Sequence, residues 1–438
     1  MEMKWVFFGL FFLTLSSCCF SGSSAAEQNL TNQTNSTTGL FPLDRSKSSI
    51  VFPIQGSVYP DGYYYTTVYL GNPLKPYFLD IDTGSDLTWV QCDFPCGNCL
   101  EAPNCTLFVQ APHSPFPPNK NSVVPCSDPI CAALHADIND DNDECKDPNA
   151  QCGYSVEYAD GTSSEGVLLR DAFHLRFTDR SNYKSQLAFG CGYNQQIPET
   201  TTFKTDGILG LGNGDSSIVS QLRKLGVTQN DGNVVGHCIP ARGVGYIFLG
   251  DALVPSAGVV WTSMSEGSSA NNYYSPGPAE LVYGTKSTGV KGLNVVFDTG
   301  STFTYFNLQA YEAFISSLRN DLTNMPLEVV ADETLTVCWK GKQPFTSVEE
   351  VKKYFTTVTL SFDDKAQFLI PPEDYLIITS NGNVCLGILD GSKEKEADLG
   401  DRNVIGDISL QNLLVIYDNE KQQIGWVPKS CNRPPSLE

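Results

Sequence analysis

The sequence has few basic residues, few histidines and no long apolar segment beyond its first fifteen positions. Lysine and arginine total 28 against 49 aspartate and glutamate residues, which gives a formal net charge of -21 over 438 residues. So acidic a surface repels phosphate, and it argues against nucleic acid and anionic membranes as partners. With four histidines in the chain, a zinc enzyme with histidine ligands is not expected. We expect no metal and no cofactor.

The abundant residues are those of β-structure. Hydrophobic residues make up 41% and aromatic residues 11% of the chain, with 37 glycines and 26 prolines. Frequent valine, threonine and tyrosine between glycine- and proline-containing turns indicate short strands. A chain longer than about 300 residues usually divides its core. We therefore expect a mainly β protein with two lobes.

The one long apolar segment lies at the start of the chain. Lys4 precedes a run from Trp5 to Leu15, and Ser24-Ala25-Ala26 provides small residues for cleavage. This pattern predicts a secretory signal at residues 1–26, followed by a loosely held leader over residues 27 to about 57. Because an exported chain can be N-glycosylated, we expect glycans at four sequons, which begin at Asn29, Asn32, Asn35 and Asn104.

Cysteine usage agrees with export. Thirteen cysteines remain after the signal, and we expect most to form disulfides. The sequence leaves open which thiol of the odd number is unpaired. The pair Cys96 and Cys99 has metal-ligand spacing, but no second pair with suitable spacing follows. We expect a disulfide-bonded surface insertion at residues 92–152, with most bridges inside it, formed by Cys92, Cys96, Cys99, Cys105, Cys126, Cys131, Cys145 and Cys152.

An internal repeat is the most informative feature. Residues 78–90 and 296–306 share an apolar residue followed by Asp-Thr-Gly-Ser, then Thr, an aromatic and an apolar residue. A second pair of similar segments, residues 206–212 and 403–407, follows in the same order. This order predicts a duplicated lobe and a pseudo-twofold axis that brings Asp82 and Asp298 together.

Two adjacent carboxylates have a specific chemistry. They cannot both ionise easily, so they share a proton. The ionised partner can deprotonate a water, while the protonated partner binds a substrate carbonyl. Backbone amides near Gly84 and Gly300 can hold the carboxylates. We expect the hydroxyls of Thr83 and Thr299 to link the two loops, and those of Ser85 and Ser301 to orient the aspartates.

These motifs resemble the pepsin-like aspartic endopeptidases, more narrowly the plant nucellin-like and nepenthesin-like proteases, from about Tyr59 to Cys431. The resemblance implies a bilobal fold with a cleft between pseudo-twofold lobes at 59–255 and 256–438, preceded by a leader at 27–58. It implies that Asp82 and Asp298 are catalytic, acting on peptides at acidic pH. It also implies a disulfide between Cys338 and Cys385, and an extracellular or vacuolar location for what we expect to be a monomer.

The resemblance further implies a flap at residues 154–168. Tyr158 would cover the substrate and bond to Trp89, while Asp160-Gly161 is a favourable hairpin tip on its own. The rival from another class is a non-catalytic binding protein of this fold, such as a xylanase-inhibitor-like chain. Such proteins usually lose an active-site element, whereas both repeats are intact here. A serine or cysteine hydrolase is weaker still, since none of His113, His135, His174 and His237 belongs to a triad signature.

Overall fold

The computed structural model describes residues 48–93, 112–138, 143–196, 204–228, 233–265, 273–393 and 399–431. The first half of these residues forms strands β1 Ile50–Ser57, β2 Tyr63–Leu70, β3 Lys75–Asp82, β4 Trp89–Gln91, β5 Gly153–Glu157, β6 Ser163–Arg176, β7 Asn182–Gln196, β8 Gly207–Gly210, β9 Val234–Cys238, β10 Gly245–Leu249 and β11 Val260–Ser263. The second half forms β12 Pro278–Tyr283, β13 Lys286–Ser287, β14 Leu293–Phe297, β15 Thr304–Phe306, β16 Glu328–Val330, β17 Cys338–Lys340, β18 Val358–Phe362, β19 Gln367–Ile370, β20 Leu376–Ile378, β21 Val384–Leu386, β22 Ile388–Asp390, β23 Arg402–Ile405, β24 Leu413–Asp418 and β25 Gln423–Pro428.

Helices are few among the described residues, as expected. They are α1 Pro129–Asp137, α2 Ile218–Lys224, α3 Leu308–Leu322 and α4 Asp407–Leu410, with short 3-10 turns between strands. Helix α3 begins where Asn307 accepts a hydrogen bond from the amide of Ala310, and Phe314 and Leu318 belong to its buried stripe. No helix within the described ranges is long and apolar enough to cross a membrane.

The strands form three sheets, and the largest contains strands from both ends of the chain. Its thirteen strands run in the order β11-β25-β24-β9-β10-β1-β2-β3-β8-β4-β7-β6-β5. An eight-stranded sheet follows the order β19-β18-β12-β14-β23-β15-β22, with β13 beside β12, and a four-stranded sheet the order β16-β17-β21-β20. The expectation of a mainly β protein is confirmed.

The sequence repeat has a counterpart in strand pairing. Strand β3 lies parallel to β8, β4 runs antiparallel to β8, and β4 lies parallel to β7. Strands β14, β23, β15 and β22 repeat these three pairings in the same order and directions. Asp82 ends β3 and Asp298 directly follows β14, so the two residues occupy corresponding places in the two halves.

The leader prediction needs correction at its C-terminal end. Residues 50–57 are strand β1, which pairs with β10 on one side and β2 on the other. Ile50, Phe52 and Ile54 alternate along it and are buried. This two-residue apolar period fixes the strand in the sheet, although a polar stretch precedes it. The signal, leader residues 27–47 and the four sequons lie outside the described residues.

The insertion is also more than a surface appendage. Asp128 caps helix α1 by accepting from the amide of Ile130, and Pro129 occupies the first helical position. The buried side chains of Ile130 and Leu134 join a small core that includes Trp89. Apolar residues four apart on a capped helix therefore contribute to a core that the prediction of a surface insertion did not include.

Candidate active site

The two Asp-Thr-Gly loops are joined through their threonines. The amide of Thr83 donates to Thr299 Oγ1 at 3.0 Å, and the amide of Thr299 donates to Thr83 Oγ1 at 3.0 Å. Each hydroxyl then donates to a carbonyl of the opposite half, Thr83 to Phe297 at 3.2 Å and Thr299 to Ile81 at 3.1 Å. Because both threonines are buried, these four bonds fix the separation of the two loops.

Each aspartate is held by its own loop in the same way. Asp82 accepts from the amide of Gly84 at 2.8 Å and from the hydroxyl of Ser85. Asp298 accepts from the amide of Gly300 at 2.9 Å and from the hydroxyl of Ser301 at 2.7 Å. In each aspartate the glycine amide donates to Oδ1 and the serine hydroxyl donates to Oδ2, so the loop itself orients both carboxylate oxygens.

The loops approach so closely that each glycine lies against the other loop's aspartate. A Cβ on Gly84 would lie 2.6 Å from Asp298 Oδ1, and one on Gly300 would lie 2.5 Å from Asp82 Oδ1. Burial and the nearby Asp298 charge together raise the pKa of Asp82 to about 7, against the bonds from Ser85 and Gly84. The close approach of the two loops and the raised pKa of Asp82 therefore favour a proton on Asp82.

A hairpin covers the Asp82 side of the site. Strands β5 and β6 form it, and its tip is closed by a hydrogen bond from the Gly161 amide to the Tyr158 carbonyl at 2.9 Å. Gly161 has a φ of 77°, which glycine adopts without strain, and Asp160 Oδ1 accepts from the Thr162 amide. Trp89 Nε1 donates to the Tyr158 hydroxyl at 2.7 Å, as the resemblance implied.

The aspartates lie in a cavity of about 1100 Å³ that also reaches the hairpin. Acidic residues outnumber basic ones in its walls, where Lys204 and Arg402 are the cationic side chains among the described lining residues. Lys204 donates to the Asp61 carbonyl and lies over the ring of Tyr63, so it is held at the rim. A cavity of this volume around two carboxylates is large enough for several residues of a peptide.

Two further carboxyl groups near the pair were not predicted. Asp80 lies two residues before Asp82 on the same face of β3 and lines the cavity, a signal that the two-residue strand period offered. Asp407 follows Val404-Ile405-Gly406, and its Oδ1 has no hydrogen-bond partner although the residue is 1% exposed. Burial raises the pKa of both carboxyls well above the usual range. Repulsion from the like charges of Asp82 and Asp298 raises it further.

The cysteines follow the disulfide prediction in part. Cys126 pairs with Cys145 and Cys131 with Cys152, both within the insertion. Cys92 departs from the expectation, because β4 lies beside β7 and Cys92 bonds to Cys191 outside the insertion. The remaining bridges are Cys338–Cys385, which the resemblance implied, and Cys238–Cys431. Cys96, Cys99 and Cys105 lie outside the described residues.

In two groups of described residues the potential metal-ligand atoms lie within 4.8 Å of one another. The groups are Cys126 with Cys131 and Cys145, and Cys131 with His135 and Cys152. All four cysteines are in disulfides, so neither group offers the thiolates that zinc binds. The proximity of these atoms follows from the bridges themselves.

Comparisons with known proteins agree with the geometry. Residues 64–251 match the family model described as xylanase inhibitor N-terminal, and residues 282–428 match xylanase inhibitor C-terminal. An aspartic proteinase of rice (Oryza sativa subsp. indica) is 43% identical over 90% of this chain and 94% of its own. The aspartic proteinase nepenthesin-1 of Nepenthes gracilis is 27% identical over 86% of this chain and 80% of its own.

Solved structures give the same fold. An aspartic proteinase from Irpex lacteus superimposes with a TM-score of 0.59 at 15% identity, covering 89% of this chain and all of that one. Basic 7S globulin from soybean superimposes with a TM-score of 0.65 at 16% identity, covering 89% and 99%. The architecture is thus the bilobal fold expected from the sequence, shared by a named protease and a named seed globulin.

Proposed function

Because the chain belongs to the plant family of pepsin-like aspartic proteases, we propose that it is a secreted endopeptidase that cleaves peptide bonds at acidic pH. The observation that carries the proposal is the intact pair, Asp82 and Asp298, in two threonine-linked loops at the centre of an open cavity. Both aspartates come from one chain, so a monomer suffices.

The proposed reaction uses one shared proton. The raised pKa of Asp82 favours this residue as the neutral partner, which donates to the carbonyl oxygen of the scissile bond. Asp298, ionised, accepts a proton from the attacking water as the water oxygen bonds to the carbonyl carbon. Asp298 then gives that proton to the amide nitrogen, the carbon–nitrogen bond breaks, and Asp82 regains its proton. Two carboxyls and one proton are restored at each turnover.

A second candidate, the non-catalytic binding protein, has its own support. The matching family models are described as xylanase inhibitor, and a seed globulin shares the fold. Both complete Asp-Thr-Gly-Ser repeats and the bond between Tyr158 and Trp89 favour the enzyme over this candidate.

The test is digestion of a denatured protein across the acid pH range by the exported protein, with any leader removed. We expect a bell-shaped pH dependence and a loss of at least about a thousandfold in Asp82→Asn and Asp298→Asn. An amide can neither take the proton from water nor return it. Asp215→Asn is the matched control, since its exposed carboxylate pairs with Lys224 at the surface. An inert but folded wild type favours the binding protein, and an active Asp298→Asn contradicts the shared-proton mechanism.

A further inference from the structure

The carboxyl group of Asp80 lies one strand repeat away from Asp82. Both residues belong to β3, and side chains two positions apart on a strand point to the same face. A two-residue step along a strand is about 7 Å, which a long side chain of a bound peptide can span. Asp80 lines the cavity and is partly exposed there. A further carboxyl group is therefore within reach of the residues that flank the scissile bond.

An apolar wall adjoins this carboxyl group. In the large sheet Asp80 is paired with Tyr65 of β2 on one side and with Ile208 of β8 on the other. Residues paired in register point to the same face, and Ile208 lines the same cavity. Tyr63, two positions from Tyr65, lines it too. An apolar wall that ends at a carboxylate suits a side chain with an aliphatic stem and a cationic end.

Asp80 also differs from the other aspartates of the cavity in its hydrogen bonding. Each of the others among the described lining residues accepts a hydrogen bond, namely Asp61, Asp82, Asp86, Asp137, Asp160 and Asp298. Within the described ranges no side chain donates to Asp80, and no backbone amide does beyond that of the adjacent Ile81. Lys204 of the same wall donates to the Asp61 carbonyl instead. A ligand that brings a donor to the Asp80 carboxylate therefore gains a charge-assisted bond.

We propose that Asp80 is a specificity-determining residue, and that it binds the basic end of a lysine or arginine that flanks the scissile bond. The inference rests on the proposed function for the cleavage step, although binding of the basic side chain does not. The ammonium or guanidinium group supplies the donor that the carboxylate lacks, while the aliphatic stem lies against Ile208. A neutral side chain of the same length leaves the carboxylate without that donor. Selection of the cleavage site therefore includes a positive charge next to the bond.

The preference has a pH dependence of defined sign. Burial and the charges of three other carboxyl groups raise the pKa of Asp80 well above its usual range. The titratable and charged groups around it are Tyr63 and Tyr65 on β2, Asp82 on β3, Asp160 on the hairpin, Lys204 at the rim and Asp298 in the other half. At the acid end of the active range a basic side chain has to displace the proton of Asp80. As pH rises, Asp80 ionises and this cost disappears, so the preference for a basic side chain increases.

The first test compares two peptides that differ in one side chain, lysine or norleucine, at each position flanking the scissile bond in turn. At one of these positions we expect wild type to cleave the lysine peptide with a kcat/KM at least about tenfold higher. Asp80→Asn should bring this ratio close to one. Asp215→Asn removes the same charge from the surface and should keep the wild-type ratio.

The ratio of the two kcat/KM values is the informative quantity because the same aspartate pair cleaves both peptides. Any effect of the substitution on Asp82 or Asp298 therefore cancels. A wild type without a basic preference overturns the proposal. So does a preference that Asp80→Asn retains, since the negative charge of the whole cavity then accounts for it.

The second test needs no variant of the cavity. We expect the lysine-to-norleucine ratio of wild type to rise with pH across the active range, because Asp80 ionises. A ratio that is constant or falls as pH rises contradicts the role of the Asp80 carboxylate.

The third test measures binding alone, so it separates this inference from the proposed function. Its probes are two non-cleavable peptides in which a hydroxyethylene group replaces the scissile amide, flanked by lysine or norleucine. We expect wild type to bind the lysine peptide about tenfold more tightly, and Asp80→Asn to lose the difference. If wild type cleaves nothing but shows this difference, the proposed function fails and the role of Asp80 stands. If wild type cleaves peptides but shows no difference, the proposed function stands and the inference is overturned.

Discussion

The two aspartate loops have the same hydrogen bonds but different surroundings. Asp82 is 7% exposed beneath the Tyr158 hairpin, whereas Asp298 is half-buried beside the exposed Gly300. The segments behind them differ too, since Leu211 follows one apolar-apolar-Gly segment and Asp407 follows the other. The duplicated sequence thus supplies the symmetric geometry, and later differences supply the unequal environments that let one carboxyl hold the proton.

Among variants that keep both aspartates, the largest effect should come from the contact between the two loops. Gly84→Ala and Gly300→Ala each place a methyl group against the opposite aspartate, at 2.6 and 2.5 Å from its Oδ1. We expect both variants to lose activity by about a hundredfold or more, because the carboxyls must separate. Peptide cleavage and circular dichroism on the same samples test this. A fully active alanine variant would show that the loops tolerate separation.

The hairpin tests the asymmetry of the two sides. Tyr158→Phe removes the bond from Trp89 Nε1, and we expect kcat/KM to fall about tenfold with little change in Tm. Tyr154→Phe is the matched control on the same hairpin, since its buried hydroxyl bonds to Ser164 instead. It should lose stability and keep activity. Equal losses of activity would make Tyr158 an ordinary packing residue.

The smallest effect concerns the buried acid behind Asp298. The pKa of Asp407 is raised by burial, so its protonated form stabilises the fold below the unfolded pKa near 4, and that stability is lost as pH rises. Asp407→Asn cannot ionise. We expect its Tm to fall less than that of wild type above pH 4, by about 2–4 °C. Parallel Tm–pH curves for the two proteins would contradict a buried ionisable Asp407.

The sequence predicted the features that its internal repeat and its turn residues encode. Two copies of one motif placed Asp82 and Asp298 together, and Asp160-Gly161 indicated the hairpin tip. Strand β1 and the helix core of the insertion were missed because neighbouring polar residues and prolines outweighed short apolar patterns. The bond between His237 and Tyr417 joins residues 180 positions apart, and no local pattern reports such a contact.

The large sheet has a consequence for biosynthesis. Strand β9 lies between β10 and β24, and β24 and β25 span residues 413–428, so β9 lacks its neighbour until the ribosome has passed them. The exposed edge of β9 must remain unpaired while about 180 further residues are made, a period in which intermolecular strand pairing is a hazard. Strands β24 and β25 are thus the last of the described strands to be synthesised, and the Cys238–Cys431 disulfide ties β9 to the residues that follow them.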